Sequence, residues 1–155
     1  MYKRQSSYNT EDIKKAINRY LKIREHSRKE LQHKLLIKNF NEEDINSCID
    51  FFKDQNLQSD ERYAENFIRV KYEAKKGPLL IKNHLSHTGV DKVIVETLLS
   101  NYTEKQWIDS AVSALQKKYS NGNDTADKMR NFLISRGFYK TTIDNAIKIF
   151  YNHEH

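Results

Sequence analysis

Apolar residues recur in this 155-residue chain as three similar copies. The copies begin at Leu31, Ile81 and Met129, so they are offset by 50 and then by 48 residues. In each copy the apolar spacings are 4, 5, 5, 4 and 3 residues, at Leu31, Leu35, Phe40, Ile45, Ile49 and Phe52; at Ile81, Leu85, Val90, Val95, Leu99 and Tyr102; and at Met129, Leu133, Phe138, Ile143, Ile147 and Phe150. A fixed period with helical spacing inside it is typical of repeat proteins. The pattern predicts a stack of similar modules, which usually presents a long surface to macromolecules.

Helix signals dominate inside each copy, because four glycines and one proline leave little of the punctuation that strands and tight turns need. Thr10 is predicted to cap the first helix, and Ser27 with Glu30 has the spacing of a capping box. Asn39 is predicted to end the second helix in the left-handed conformation. Further caps are expected at Asn41, at Ser59 or Asp60, and at Thr103, with Gly89 and Gly137 ending helices.

These signals predict nine helices in three triplets. The fold class is therefore all-α, with three tandem three-helix repeats forming an elongated, curved array. The expected boundaries are a flexible N-terminus at 1–9, repeat 1 at 10–56, repeat 2 at 57–103 and repeat 3 at 104–151. Contacts between repeats should be smaller than an ordinary core, so some bending between them is expected.

The composition fits a thin object with much surface. Hydrophobic residues make up 37% of the chain and charged residues 31%, against about 45–50% and about 25% in typical soluble domains. The net charge is +6, and the sequence pI is near 9.3. The excess is spread along all three repeats, which suits an anionic partner such as nucleic acid or an acidic protein surface. A mildly basic, solvated surface explains the same charge.

Several classes of protein are not indicated. Cys48 is the single cysteine, so an internal disulfide is impossible and burial as a small hydrophobe is expected. No apolar run exceeds three residues, which predicts no membrane span. The first residues lack the apolar core of a signal peptide. A cytoplasmic protein is expected, since unpaired cysteine usage is compatible with a reducing compartment.

Candidate catalytic and metal residues each have a simpler interpretation. His33, His84 and His87 have no partner ligands at metal-binding spacing, so no metal or cofactor is expected. The acidic groups at 42–44 and 60–61 open helices, where carboxylates interact favourably with the helix dipole. Neither a Walker loop nor a GxGxxG is present. The prediction is a protein that is not an enzyme.

Basic residues form one group in each copy. The groups are Lys22, Arg24, Arg28 and Lys29; Arg62, Arg69, Lys71, Lys75 and Lys76; and Lys117, Lys118, Lys128, Arg130 and Arg136. If the repeats stack regularly, these groups align into one basic stripe. The alternative is three unrelated solvated faces.

Four segments of the chain carry recognisable motifs. Residues 24–31, REHSRKEL, fit the pattern R-x-x-S-x-x-E-L, and residues 57–69 form a second conspicuous stretch. Gly77-Pro78 and Arg136-Gly137-Phe138 stand in the second and third repeats. In their order and spacing these segments resemble the RecX family of recombination regulators, whose first-repeat signature and most recognisable stretch are similar to the first two. The resemblance covers about residues 10–151. One departure is Asn39, where the family commonly has glycine, and Asn tolerates left-handed geometry better than most residues.

The resemblance implies a non-enzymatic modulator of the RecA recombinase. Family members are bent three-helix-repeat proteins that lie in the groove of the RecA filament on single-stranded DNA. They suppress ATP hydrolysis, coprotease activity and strand exchange by blocking filament growth and promoting disassembly, which places this chain in DNA recombination, repair and the SOS response. A monomer is expected, although exposed apolar ends could also support a dimer.

Six residues are predicted to contact the partner: Arg24, Arg28, Lys29, Arg62, Arg69 and Arg136. Arg62 and Arg136 have a second interpretation, since each could pair with an acid between repeats. The competing function is a basic helical-repeat protein that binds DNA directly without a recombinase, and a third is a scaffold whose charge is incidental. Direct DNA binding would fall steeply with salt through counterion release.

Overall fold

The structure, a computed structural model, describes the main chain of residues 6–120 and 124–154 and the side chains of residues 10–120 and 124–153. In that part the chain forms nine α-helices and no strand. The helices are α1 Ser6–Ile23, α2 Arg28–Ile37, α3 Glu42–Asp54, α4 Asp60–Glu73, α5 Pro78–His87, α6 Lys92–Leu99, α7 Glu104–Lys118, α8 Ala126–Ser135 and α9 Lys140–Glu154. The prediction of an all-α repeat fold is confirmed.

Most of the predicted caps are present. The Ser27 hydroxyl accepts from the Glu30 N–H at 3.1 Å, and Glu30 accepts from the Ser27 N–H at 3.1 Å, which completes the capping box. Asn41 accepts from two N–H groups of α3, Ser59 from the Arg62 N–H at 3.1 Å, and Thr103 forms a second capping box with Gln106. Each cap satisfies donors that the first helical turn leaves unpaired.

The start of the first helix was predicted wrongly. Thr10 lies inside α1, because this helix begins at Ser6. Thr followed by two acids suits a helix start, but exposed Glu11 and Asp12 fit the interior of a helix equally well. The expected flexible segment 1–9 therefore overlaps α1 from residue 6, and residues 1–5 lie outside the described part.

The repeats share one register in both core and backbone. The side chains that open the three copies, Leu31, Ile81 and Met129, are fully buried, as are the leucines four residues later. Asn39, Gly89 and Gly137 occupy equivalent positions and have φ of 66°, 79° and 90°. The left-handed stop expected at Asn39 is confirmed, and it recurs after α5 and α8.

The chain divides into two compact units that do not coincide with the repeats. One unit comprises residues up to Asn66 together with His87–Asp91, and the other comprises Phe67–Ser86 together with Lys92–His155. The first unit has a core of Ile13, Ala16, Ile17, Leu31, Leu35, Ile45, Cys48, Ile49 and Phe52. The second contains an aromatic cluster of Tyr72, Tyr102 and Trp107, and buried residues of α7, α8 and α9.

Candidate functional site

The contacts between the α1–α2 corner and the second repeat form what we call the first junction, comprising residues 24–30, 58–63 and 88–89. All of them belong to the first compact unit. The Ser27 hydroxyl donates to the Thr88 carbonyl at 2.6 Å while it caps α2. The Arg28 N–H donates to Asp60 at 2.8 Å, and a Cβ added at Gly89 would lie 2.8 Å from the Cβ of Lys29. This junction therefore uses side chains at the start of α2.

Three of the predicted partner-binding arginines form ion pairs here or beside it. Arg24 forms two hydrogen bonds to the Glu30 carboxylate, at 2.8 and 3.1 Å, and this carboxylate raises the pKa of Arg24. Arg62 Nε donates to Glu25 at 2.6 Å, and Arg28 donates to Asp50 of α3 at 2.7 Å. The prediction that Arg62 could pair with an acid of a neighbouring repeat is confirmed.

His26 lies buried at the centre of the first junction and was not singled out by sequence reasoning. Its Nε2 lies 2.8 Å from the Lys34 ammonium, and its Nδ1 lies 3.0 Å from the Arg24 carbonyl. An ammonium only donates and a carbonyl only accepts, so this geometry fits a neutral ring protonated at Nδ1. Burial lowers the pKa of His26, and the positive charges of Arg24 and Lys34 lower it further.

The second junction, comprising residues 74–80 and 136–139, lies inside the second compact unit. The Gly77 N–H donates to the Arg136 carbonyl at 2.7 Å, and the Leu79 N–H donates to the Gly137 carbonyl at 2.9 Å. A Cβ at Gly77 would overlap the carbonyl group of Gly137, and a Cβ at Gly137 would overlap Leu80. Only glycine permits this approach of two main chains.

Arg136 bonds to carbonyl groups of the preceding repeat. Its Nε donates to the Lys75 carbonyl at 3.0 Å, and its Nη2 donates to the Ala74 carbonyl at 2.6 Å. The guanidinium also stands 5.3 Å from the centre of the Phe132 ring. Arg136 therefore contacts the preceding repeat, as predicted. Its acceptors are main-chain carbonyl groups that follow α4, and not the acidic side chain that the sequence suggested.

The six predicted residues do not form one patch in a single unit. Arg24, Arg28, Lys29 and Arg62 lie at or beside the first junction, in the first unit. Arg69 and Arg136 belong to the second unit, where Arg69 lies 3.7 Å from Glu73 in an exposed pair one helical turn apart. The structure thus brings four of the six predicted residues together at the first junction.

A basic groove lies in the second unit among the ends of three helices. It has a volume of about 480 Å³ and is lined by Glu73, Ala74, Lys75, Ser113, Ala114, Lys117, Lys118, Phe132 and Arg136. Sequence reasoning placed Lys75 in a different basic group from Lys117, Lys118 and Arg136. The fold joins these four cations because α4, α7 and α8 end beside one another. The other two members of the third group pair elsewhere, Lys128 with Asp124 and Arg130 with Asp144.

The described residues offer neither a cluster of metal ligands nor a membrane-spanning helix. No group of three or more His, Cys, Asp or Glu side chains converges within them, and the ring of His84 stacks on Phe67 at 4.2 Å. None of the helices there combines the length and apolar character that a bilayer crossing needs. Burial raises the pKa of the Cys48 thiol, the opposite of what thiolate chemistry needs.

Known proteins share this arrangement over most of the chain. The model described as RecX, first three-helix domain, matches residues 14–52, and that described as RecX, second three-helix domain, matches residues 59–99. The regulatory protein RecX of Legionella pneumophila (strain Corby) is 32% identical over 134 residues, covering 84% of this chain and 89% of that protein. The regulatory protein RecX of Chromohalobacter salexigens is 37% identical over 124 residues, covering 77% and 80%.

Solved structures agree with the sequence relatives. The crystal structure of RecX from Lactobacillus salivarius superposes with a TM-score of 0.79 at 30% identity, covering 93% of this chain and 97% of that one. A second crystal structure of a regulatory protein RecX has a TM-score of 0.77 at 19% identity, which shows the shared fold. Two domain models, relatives above 30% identity and a matching fold lead to one conclusion: the chain belongs to the RecX family.

Proposed function

We propose that this chain is a cytoplasmic, non-enzymatic regulator that binds the RecA filament on single-stranded DNA as a monomer. It inhibits ATP hydrolysis, coprotease activity and strand exchange by blocking filament extension and favouring disassembly. The observation that carries the proposal is the similarity to proteins named regulatory protein RecX over most of their length. The three repeats at 10–56, 57–103 and 104–151 act as the modules that meet the filament.

The six predicted residues act in two ways under this proposal. Arg24, Lys29 and Arg69 contact the partner, since they expose much of their side chains even where they pair with an acid. Arg28, Arg62 and Arg136 hold other parts of the protein, through Asp50, Glu25 and the end of α4. These three residues affect partner binding indirectly, because they hold the helices that carry the contact residues. A regulator shifts the filament equilibrium only if it binds one filament state more tightly than the other.

The test is the ATPase activity of RecA on single-stranded DNA, titrated with this protein. Inhibition well below one molecule per recombinase subunit supports blocked extension at filament ends. Absence of inhibition, together with tight and salt-sensitive binding to naked DNA, supports the direct DNA binder instead. No effect in either assay supports the scaffold.

Matched charge variants make the contact residues testable. The triple variant Arg24→Gln, Lys29→Gln, Arg69→Gln should inhibit at least tenfold less well, because it removes the proposed contacts. The control Lys53→Gln, Lys92→Gln, Lys105→Gln removes the same charge from three exposed lysines that belong to none of the basic groups and should inhibit as the natural protein does. Equal loss in both variants would assign the effect to net charge alone. Full inhibition by the first variant would remove these residues from the proposal.

A further inference from the structure

The cations of the basic groove differ from four of the predicted arginines because they have no acidic partner. Among the side chains that the structure describes, Arg24, Arg28, Arg62 and Arg69 each pair with a carboxylate. Lys75, Lys117, Lys118 and Arg136 form no such pair within the same residues. Glu73, the single acid lining the groove, lies beside Arg69. The groove therefore brings together four cations that have no acidic partner among the described side chains.

Helix dipoles offset part of this positive charge. Lys117 and Lys118 end α7, Arg136 follows α8, and Lys75 follows α4, so the groove lies at three helix C-termini. Each terminus carries about −0.5 charge, so three termini offset less than half of the four cations. The charge of Arg136 is also the main cause that lowers the pKa of nearby Lys76.

Two of the four cations, Arg136 and Lys118, are held in place before any partner arrives. Arg136 is fixed by two carbonyl acceptors, and Lys118 Nζ stands 4.4 Å from the centre of the Phe132 ring. Arg136 stands over the same ring at 5.3 Å. Cation–aromatic contacts of this kind position charge without neutralising it. A partner that binds here therefore loses less affinity to ordering these two side chains.

The chemistry of the groove favours carboxylates over a nucleic-acid strand. Bases of single strands usually stack on open aromatic rings, whereas two cations already occupy Phe132. Phosphate sites usually use the N–H groups at a helix N-terminus, whereas helix C-termini meet here. The small floor formed by Ala74 and Ala114 can receive an apolar side chain.

We propose that the basic groove binds an acidic segment of a partner protein. Its carboxylates pair with Lys75, Lys117 and Lys118, and an apolar side chain packs between Ala114 and Phe132. The charge of Arg136 adds to the attraction while its guanidinium stays bound to the end of α4. This is a binding chemistry for the second compact unit that involves a protein surface and no nucleic acid. This proposal does not depend on which protein supplies the segment. The peptide-binding experiment below can therefore contradict it independently of the recombinase assay.

The test measures fluorescence anisotropy with a labelled eight-residue peptide, GELEELEG, at about 50 mM salt, because screening weakens exposed charge interactions. The isosteric peptide GQLQQLQG and a labelled eight-nucleotide oligothymidylate serve as parallel probes. The acidic peptide should bind at least tenfold more tightly than either. Absence of peptide binding, or tighter binding of the oligothymidylate that depends on the same lysines, would overturn the proposal.

Two variants with a matched control locate the binding. Lys117→Glu with Lys118→Glu should weaken peptide binding about tenfold or more, as loss of charge pairs does at other interfaces. The control Lys92→Glu with Lys105→Glu makes the same charge change at lysines that are each 87% exposed elsewhere in the unit, and binding should persist. Equal weakening in both pairs would show that only net charge matters.

A third variant separates binding from folding. Lys75 has φ of 62°, a conformation that glycine adopts at no steric cost. Lys75→Gly should therefore leave the protein at least as stable, while peptide binding falls about threefold through loss of one exposed charge pair. Unchanged binding by this well-folded variant would remove Lys75 from the site and count against the proposal.

Discussion

At the first junction α2 is capped by Ser27, and at the second junction the equivalent residue, 50 positions later, is Gly77. Ser27 reaches Thr88 with its hydroxyl, whereas Gly77 donates its main-chain N–H directly to the Arg136 carbonyl. Thr88 and Arg136 are themselves equivalent, 48 positions apart. Equivalent backbone segments thus meet at both junctions. The contact is made by a side-chain hydroxyl at the first junction and by a main-chain N–H at the second.

The difference shows which part of a repeat contact can vary. A side-chain contact leaves space that polar residues fill, as Glu25, Arg62, Asp60 and Gln58 do at the first junction. A main-chain contact leaves no such space, so it depends on glycine at 77 and 137. The first junction should respond to charge and pH, and the second should respond mainly to volume.

The largest expected effect is that of Gly77→Ala. The added Cβ would overlap the carbonyl group of Gly137. This group cannot move without breaking the two main-chain hydrogen bonds of the second junction. We expect a loss of about 3 kcal/mol or more in the free energy of unfolding, in the range of strong overpacking. Urea denaturation followed by circular dichroism measures it.

The comparison variant is Gly89→Ala at the first junction. Its Cβ would meet the Lys29 side chain at 2.8 Å, and the residue also has positive φ. The nearest atom is the Cβ of Lys29, which moves only with the main chain of α2, but the contact is longer than the overlap at Gly77. The cost should therefore be smaller, about 1–2 kcal/mol. A larger loss at Gly89 than at Gly77 would reverse the proposed contrast between the junctions.

The next effect concerns Ser27→Ala. This change removes the helix cap and the hydroxyl that donates to the Thr88 carbonyl. We expect a loss of about 2 kcal/mol, the sum of a typical cap and a typical hydrogen bond. Denaturation in urea gives the value.

Thr103→Ala is the matched control for Ser27. Thr103 forms the same capping box with Gln106, but its residue is exposed. Its loss should be about 1 kcal/mol, that of the cap alone. If the two variants lose the same stability, the bond from Ser27 to Thr88 contributes nothing to the first junction.

The core and the turns could be predicted from sequence because they are local properties. Spacing of 3 and 4 residues within a helix fixes which side of it is buried, and Leu31 with Leu35, Ile81 with Leu85, and Met129 with Leu133 follow that rule. Asn39 and the Ser27 capping box depend on neighbouring residues alone. The prediction that Thr10 caps the first helix was wrong, because exposed acidic residues suit the interior of a helix as well as its start.

The candidate sites depend on contacts between distant residues, which spacing does not determine. Arg62 meets Glu25 across 37 residues, and Arg136 reaches Ala74 across 62. The basic groove combines side chains from three helices whose relative rotation no periodic pattern encodes. Sequence reasoning therefore found the cations but could not tell which of them are paired.

A pH effect should distinguish the junctions through His26. Because its pKa in the folded state lies below the ordinary value of 6.5, the unfolded chain binds more protons below about pH 7. The contribution of the neutral ring is complete above that pH and is lost as pH falls toward the lowered pKa. Stability should therefore decrease from pH 7.5 to pH 5.5, by about 1 kcal/mol or less.

His26→Gln tests the assignment, since glutamine keeps a donor and an acceptor but does not titrate. The variant should be less stable at pH 7.5 and should lose part of the slope between the two pH values. Gly77→Ala should keep the full slope, because its junction contains no histidine among residues 74–80 and 136–139. An unchanged slope in His26→Gln would assign the pH dependence to other groups.

The smallest expected effect is that of the pair between Arg62 and Glu25. The two side chains are 38% and 27% exposed, so solvent screens their attraction despite a distance of 2.6 Å. A double-mutant cycle with Arg62→Ala and Glu25→Ala should give a coupling of about 0.5–1 kcal/mol at low salt, decreasing toward zero near 1 M salt. The pair between Arg69 and Glu73 is longer and more exposed, so its cycle should give about 0.3 kcal/mol. Equal couplings for the two pairs would mean that Arg62 adds no more to the first junction than an ordinary surface pair, and the junction would then rest on Ser27, Gln58 and Asp60.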